Sequence, residues 1–345
     1  MPPQGRGPSG LPAAAILGCA GPELGAEEAA FFRDADPWGF ILFARNVVSP
    51  GQLRRLTGAL RDAVGRDAPV LIDQEGGRVQ RLRAPHWREW LPPLDHVLRV
   101  APDRRARAAW LRYRLIAAEL RSVGIDTNCA VTADIAGPAT HPFLRNRCLG
   151  ADPAAVIVAA RAAAEGLLAG GVLPVVKHIP GHGRATADSH HDLPRVTADA
   201  AALAATDFAA FAGLADLPVA MTAHVVFTAI DPDSPATTSP AVIRLIRERI
   251  GFSGLLLTDD ISMGALPGPL GARAAAALRA GCDIVLHCNG DMDEMKAVLA
   301  AAGRLGPAAA ARAEAALACR RLPEDVDSGR LEAELEALLG APIDG

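Results

Sequence analysis

Eight short apolar runs punctuate the chain: Ala13–Cys19, Gly39–Ala44, Pro69–Ile72, Ile125–Thr132, Val172–Val176, Val219–Thr222, Leu255–Thr258 and Asp283–His287. Each is apolar on both faces and leads into a polar loop, then into a longer Ala/Leu/Arg-rich stretch of helical character. Runs buried on both sides and spaced by helical lengths are what parallel strands covered by helices require. Several helix ends are legible. Asp152-Pro153 opens AAVIVAARAAAEGLL, which closes at Gly170-Gly171, and Ser239-Pro240 opens AVIRLIRERI, which closes at Gly251. In both, a capping side chain precedes a first-position proline and glycine ends the helix. Thr197 is read as the cap of the helix before Val219. Eight alternating β/α units predict an α/β fold, a single-domain (β/α)8 TIM barrel over residues 11–306. Residues 1–10 read as a disordered Pro/Gly-rich tail, and 307–345 as C-terminal helices packed on the barrel. An open doubly wound sheet is the competing arrangement, weakened because no GxGxxG follows an early strand.

Composition narrows the function. The 345 residues are 50% hydrophobic with a net charge of −4, enough for one large core and too acidic for nucleic acid as the main partner. Aromatic residues make up 4%, leaving little for single strands to stack on. None of the six cysteines forms a CxxC pair, as expected for free buried thiols in a reducing compartment. Ile16-Leu17-Gly18-Cys19 resembles a lipoprotein cleavage box, yet its apolar stretch is short and interrupted by Pro12, so it reads as the first strand. No apolar run reaches the roughly 18 residues of a membrane span. The expectation is a cytoplasmic protein with no membrane partner, its oligomeric state left open.

In a barrel, chemistry gathers at the C-terminal ends of the strands. After the fifth run comes KHIPGHGRATADSHHD, Lys177–Asp192, holding four of the nine histidines and one of only two lysines. A lysine in a chain that otherwise writes its cations as arginine suggests a need for a compact, rotatable ammonium. Pro180, Gly181 and Gly183 break any helix, so a loop follows the strand and can fold back over its end. After the third run comes Asp73-Gln74-Glu75-Gly76-Gly77-Arg78-Val79-Gln80-Arg81. Asp134, Arg145 and Arg147 follow the fourth, His224 the sixth, and Asp259-Asp260-Ile261-Ser262 the seventh. Asp259, as the last strand residue, should point into the barrel mouth, while Asp260 or Ser262 reads as a cap for the next helix. His224 and His287 read as packed or hydrogen-bonded rim residues. His178 and His182 stand four apart but not on a helix, so no catalytic metal is expected, and no cofactor is called for.

These motifs resemble the glycoside hydrolase family 3 β-N-acetylhexosaminidases of the NagZ type. The likeness rests on DQEGGRVQR (Asp73–Arg81), KHIPGHG with TADSHHD (Lys177–Asp192) and LLLTDDISM (Leu255–Met263), with weaker support from ILFARN (Ile41–Asn46). It implies a retaining β-N-acetylglucosaminidase of peptidoglycan recycling, acting on a muropeptide or other GlcNAc-containing saccharide such as GlcNAc-1,6-anhydro-MurNAc. It implies Asp259 as nucleophile, His190 as general acid/base and Asp188 as the partner of His190. It puts Asp73, Arg81, Arg147, Lys177 and His178 at sugar-binding positions.

The chemistry is coherent with that likeness. Retaining hydrolysis needs one group to attack the anomeric carbon and another to protonate the leaving oxygen. An imidazole, with a reference pKa of ~6.5, exchanges protons near neutrality without a large shift and does not repel a neighbouring carboxylate. Two other readings compete. A GlcNAc-specific phosphorylase would also benefit from an acid/base that tolerates phosphate, and a non-catalytic barrel could bind sugar without turnover.

Overall fold

The computed structural model describes residues 10–187 and 192–340. Eight parallel strands close into a barrel in chain order: β1 Ala13–Gly18, β2 Pro37–Leu42, β3 Val70–Ile72, β4 Thr127–Asn128, β5 Leu173–Ile179, β6 Val219–Thr222, β7 Leu255–Asp260 and β8 Ile284–His287. The fold is a (β/α)8 TIM barrel, each strand falling on one of the eight apolar runs. The Pro/Gly-rich segment 1–10 lies, apart from Gly10, outside the described residues.

Alternation along the strands separates two cores. Ile16, Ile41, Leu71, Val175, Met221, Leu257 and Leu286 pack together inside the barrel. Their neighbours Leu17, Phe40, Ile72, Val176, Ala220, Leu256 and Val285 pack outward against the helices. Helix Pro307–Ala318 adds Ala310, Ala313 and Ala316 to the inner core, together with Leu305, closing the N-terminal end. Two buried carboxylates brace that end. Asp126, just before β4, meets Arg61 at 3.0 Å and Arg320 at 2.6 Å. Asp283, just before β8, meets Arg247 at 2.8 Å and Arg312 at 2.5 Å. Helix Ser328–Gly340 buries Leu331 and Leu335 and packs against helix Arg105–Arg121.

The caps follow the sequence with two corrections. Asp152 accepts from Ala155 N at the start of helix Pro153–Ala169, and Ser239 accepts from Val242 N at the start of helix Pro240–Leu245. The latter ends in a π turn, Ile246–Ile250, capped by Gly251 at φ +83°. Thr197 is not the cap of the helix preceding β6. Asp199 is, because that helix starts at Ala200 and the Asp199 carboxylate is the group in reach of Ala202 N, 2.7 Å away. Neither Asp260 nor Ser262 caps a helix. Asp260 folds a turn onto Ser262 N and Oγ, and the next helix, Leu270–Ala280, begins eight residues further on behind Pro269. No helix among the described residues is long and apolar enough to cross a membrane. All six cysteines are free thiols, and all but Cys319 are buried.

Candidate active site

Strand parity delivers the site. Leu71, Val175 and Leu257 face inward, so two positions later Asp73, Lys177 and Asp259 face the barrel mouth. Ile41 and Leu286 carry Phe43 and Cys288 to the same level. The resulting pocket encloses about 210 Å³. That is below the roughly 300–1,000 Å³ of sites for drug-sized ligands and suits a single sugar ring. Asp73, Arg81, Arg147, Lys177, His178 and Asp259 all line it. Asp188 and His190 lie outside the described residues.

One wall is an ionic cluster. Lys177 Nζ donates to Asp73 Oδ1 at 2.9 Å and stands 2.7 Å from Glu75 Oε1. Arg147 grips Glu75 through both arms of its fork, Nε to Oε2 at 2.9 Å and Nη2 to Oε1 at 2.8 Å. Arg81 donates to Asp73 Oδ2 at 3.0 Å while its guanidinium lies 5.1 Å from the Phe43 ring centre. Burial alone would raise the Glu75 carboxyl, but Arg147 and Lys177 outweigh it and hold it near 2. Asp73 is depressed likewise, burial being overcome by Lys177 and Arg81. Lys177 is lifted above the usual lysine range, its two carboxylates outweighing desolvation. The cluster is therefore fully ionised at neutral pH, with three cations against two anions.

The opposite wall carries the candidate nucleophile. Asp259 Oδ1 accepts the N–H of Asp260 at 2.8 Å. Its side chain keeps 19% exposure, and Oδ2 stands 3.9 Å from His178 Nε2. Burial pushes this carboxyl up, but His178, His224, the Asp260 N–H and Lys177 together bring it below the usual range. His178 is itself anchored, with Nδ1 2.7 Å from Asp134 Oδ2. Asp134 is wholly buried and also accepts the backbone N–H of His182 at 2.6 Å. His224 Nε2 donates to Asp260 O at 3.0 Å and its Nδ1 meets the Thr237 hydroxyl at 2.7 Å, a buried rim arrangement. His287 meets Glu294 at 2.9 Å. Among the described residues no group of three His, Cys, Asp or Glu side chains could hold a metal ion.

Glu75 and Asp134 are recognisable in the sequence as charged groups near strand ends, but the sequence assigns neither a role in the site. A signal existed for the first, since Asp73 and Glu75 are carboxylates two apart at one strand end and so share a face. Asp134 follows a strand whose ladder is only two residues long, and parity gave no guide there.

The family described as "Glycosyl hydrolase family 3 N terminal domain" matches residues 23–318. The chain belongs to glycosyl hydrolase family 3. This glycoside hydrolase is 39% identical to a β-hexosaminidase of Methylococcus capsulatus over 274 residues, 78% of this chain and 80% of the relative. Among solved structures it is similar to NagZ from Neisseria gonorrhoeae in complex with N-trifluoroacetyl-D-glucosamine. That match has a TM-score of 0.81, 28% identity, and coverage of 95% of this chain and 96% of the other. It is also similar to a glycoside hydrolase family 3 β-N-acetylglucosaminidase from a Paenibacillus species, with TM-score 0.83 and 28% identity, covering 93% of this chain and 66% of that one.

Proposed function

We propose that this family 3 enzyme is a retaining exo-β-N-acetylglucosaminidase that removes terminal GlcNAc from peptidoglycan-derived muropeptides, GlcNAc-1,6-anhydro-MurNAc among them, in cytoplasmic cell-wall recycling. The observation carrying the reading is an ionised Asp259 facing a pocket sized for one ring and walled by Asp73, Arg81, Arg147, Lys177 and His178. The β-hexosaminidase names of the relatives support the sugar.

In the first step an Asp259 carboxylate oxygen bonds to the anomeric carbon as the bond to the aglycone oxygen breaks. His190, paired with Asp188, gives its proton to that oxygen. In the second step His190 takes a proton from water, the water oxygen bonds to the anomeric carbon, and the Asp259 ester bond breaks. The configuration is retained. Asp73 and Lys177, already ionised, hold ring hydroxyls through charge-assisted hydrogen bonds. A preorganised charged wall of this kind costs little reorganisation when the sugar arrives.

The deciding experiment assays an aryl β-N-acetylglucosaminide against the aryl β-glucoside, with and without phosphate, and follows product stereochemistry by NMR. Turnover of the acetamido sugar alone, independent of phosphate and with retention, is expected. Phosphate-dependent turnover would replace the hydrolase with a phosphorylase, and tight binding without turnover would leave a sugar-binding barrel.

A further inference from the structure

The structure assigns Glu75 as a positioning residue that sets the sugar-holding cations; the inference rests on the sugar-binding reading of this pocket. Glu75 is 1% exposed and does not line the cavity. Its carboxylate nevertheless organises two groups that do. Oε1 receives both Arg147 Nη2 at 2.8 Å and Lys177 Nζ at 2.7 Å, and Oε2 receives Arg147 Nε at 2.9 Å. One buried anion thus brings two like charges to the same oxygen, an arrangement that is repulsive without it.

The donor count shows what this leaves for a ligand. Lys177 has three N–H groups, of which Asp73 and Glu75 take two. Arg147 commits Nε and Nη2 to Glu75, leaving Nη1 as the end of its fork outside that pairing. Glu75 therefore selects which donors remain for hydroxyl recognition and fixes their directions.

The main chain that carries Glu75 is anchored in turn. Arg112, itself buried, donates from Nη2 to the backbone carbonyls of Glu75 and Leu91, each at 2.6 Å. Gly76 lets the guanidinium come this close, since a Cβ there would lie 2.1 Å from Arg112 Nη2. A binding group held by its own hydrogen-bonded partner is what precise recognition requires.

The test is Glu75→Gln in the full-length enzyme, which keeps shape and removes charge. On the aryl β-N-acetylglucosaminide, KM and the inhibition constant of free N-acetylglucosamine should rise about 10- to 100-fold, the scale seen when an outer partner of a binding group is lost. The fall in kcat should be smaller than the rise in KM. Glu75→Gln in an Arg147→Met background should cost less than in the wild type, because the Arg147 share of its effect is already gone and only the Lys177 share remains. Lower thermal stability with unchanged KM and inhibition constant, or fully additive losses, would overturn the assignment. Should Glu75→Gln fail to fold, Glu75→Asp carries the same reading: raised KM in folded protein supports it and unchanged KM overturns it. If the wild type hydrolyses no acetamido sugar and binds none by calorimetry, the functional reading fails. An active wild type beside an unaffected Glu75→Gln refutes only the role of Glu75.

Discussion

His178 Nε2 stands 3.9 Å from Asp259 Oδ2 while its Nδ1 is held 2.7 Å from Asp134. One imidazole is thus placed between two carboxylates. After burial, His178 is the largest influence on the Asp259 carboxyl, and it favours the ionised form. In the proposed mechanism Asp259 attacks in its ionised form, so activity should be lost as pH falls through its pKa. His178→Asn removes the largest offset to burial and should move the acid limb of the kcat/KM profile toward higher pH. Asp134→Asn, which loosens the same imidazole, should shift it in the same direction. An unmoved limb in both variants would remove His178 from this electrostatic role.

Asp259→Ala should lower kcat by roughly four orders of magnitude or more, the scale of losing a covalent nucleophile. A 2-fluoro glycoside should leave a covalent adduct on the wild type. Mass spectrometry should find it on Asp259 and not on neighbouring Asp260, whose carboxylate is taken up by Ser262 N and Oγ.

His190→Ala should reveal its role through the leaving group. With a poorly departing aglycone the loss should reach about 10²–10⁴-fold, the usual contribution of general acid–base catalysis. An activated aryl glycoside should suffer less in the glycosylation step. Equal losses on both substrates would argue against an acid role.

Gly76 offers a stability test. It sits at φ +111°, and an added Cβ would meet Arg112 Nη2 at 2.1 Å and Leu91 O at 2.4 Å. Gly76→Ala should destabilise by about 2–3 kcal/mol and raise KM, as both strain and overpacking apply. Gly58→Ala, in helix Pro50–Val64 with nothing within 4 Å of the new methyl, should instead stabilise by about 0.4–1 kcal/mol. Urea unfolding separates the two.

His96 makes stability pH-dependent. Burial, with Arg112 nearby, lowers it to about 3. The unfolded chain, near ~6.5, then holds the extra proton between those values, so stability is full above ~6.5 and declines as pH falls toward 3. Each such group contributes a slope of up to about 1.4 kcal/mol per pH unit. Unfolding free energies at several pH values should be flatter in His96→Gln by about one proton's worth.

The positions of the barrel strands were legible because burial on both faces leaves an apolar signature that helices and loops lack. Strand lengths were less so. β4 was expected over Ile125–Thr132, but only Thr127–Asn128 join the ladder before Val131 turns to φ +121° and a lone bridge resumes at Thr132. β5 and β7 run past the expected ends, to Ile179 and Asp260, because residues beyond the apolar runs, Lys177 and Ile179 in β5 and Asp260 in β7, still pair with neighbouring strands. The ionisable groups at the mouth were recognisable by type and position. Their partnerships were not: Asp73–Lys177 and Glu75–Arg147 bring together residues from three different βα loops and strand ends. Sequence spacing carries no record of such distances.

Leu305, Ala310, Ala313 and Ala316 plug the far end of the barrel, and the inner side chains above them leave no passage through it. The mouth pocket therefore communicates with solvent on one side of the barrel alone, and whatever enters it must leave by the same face.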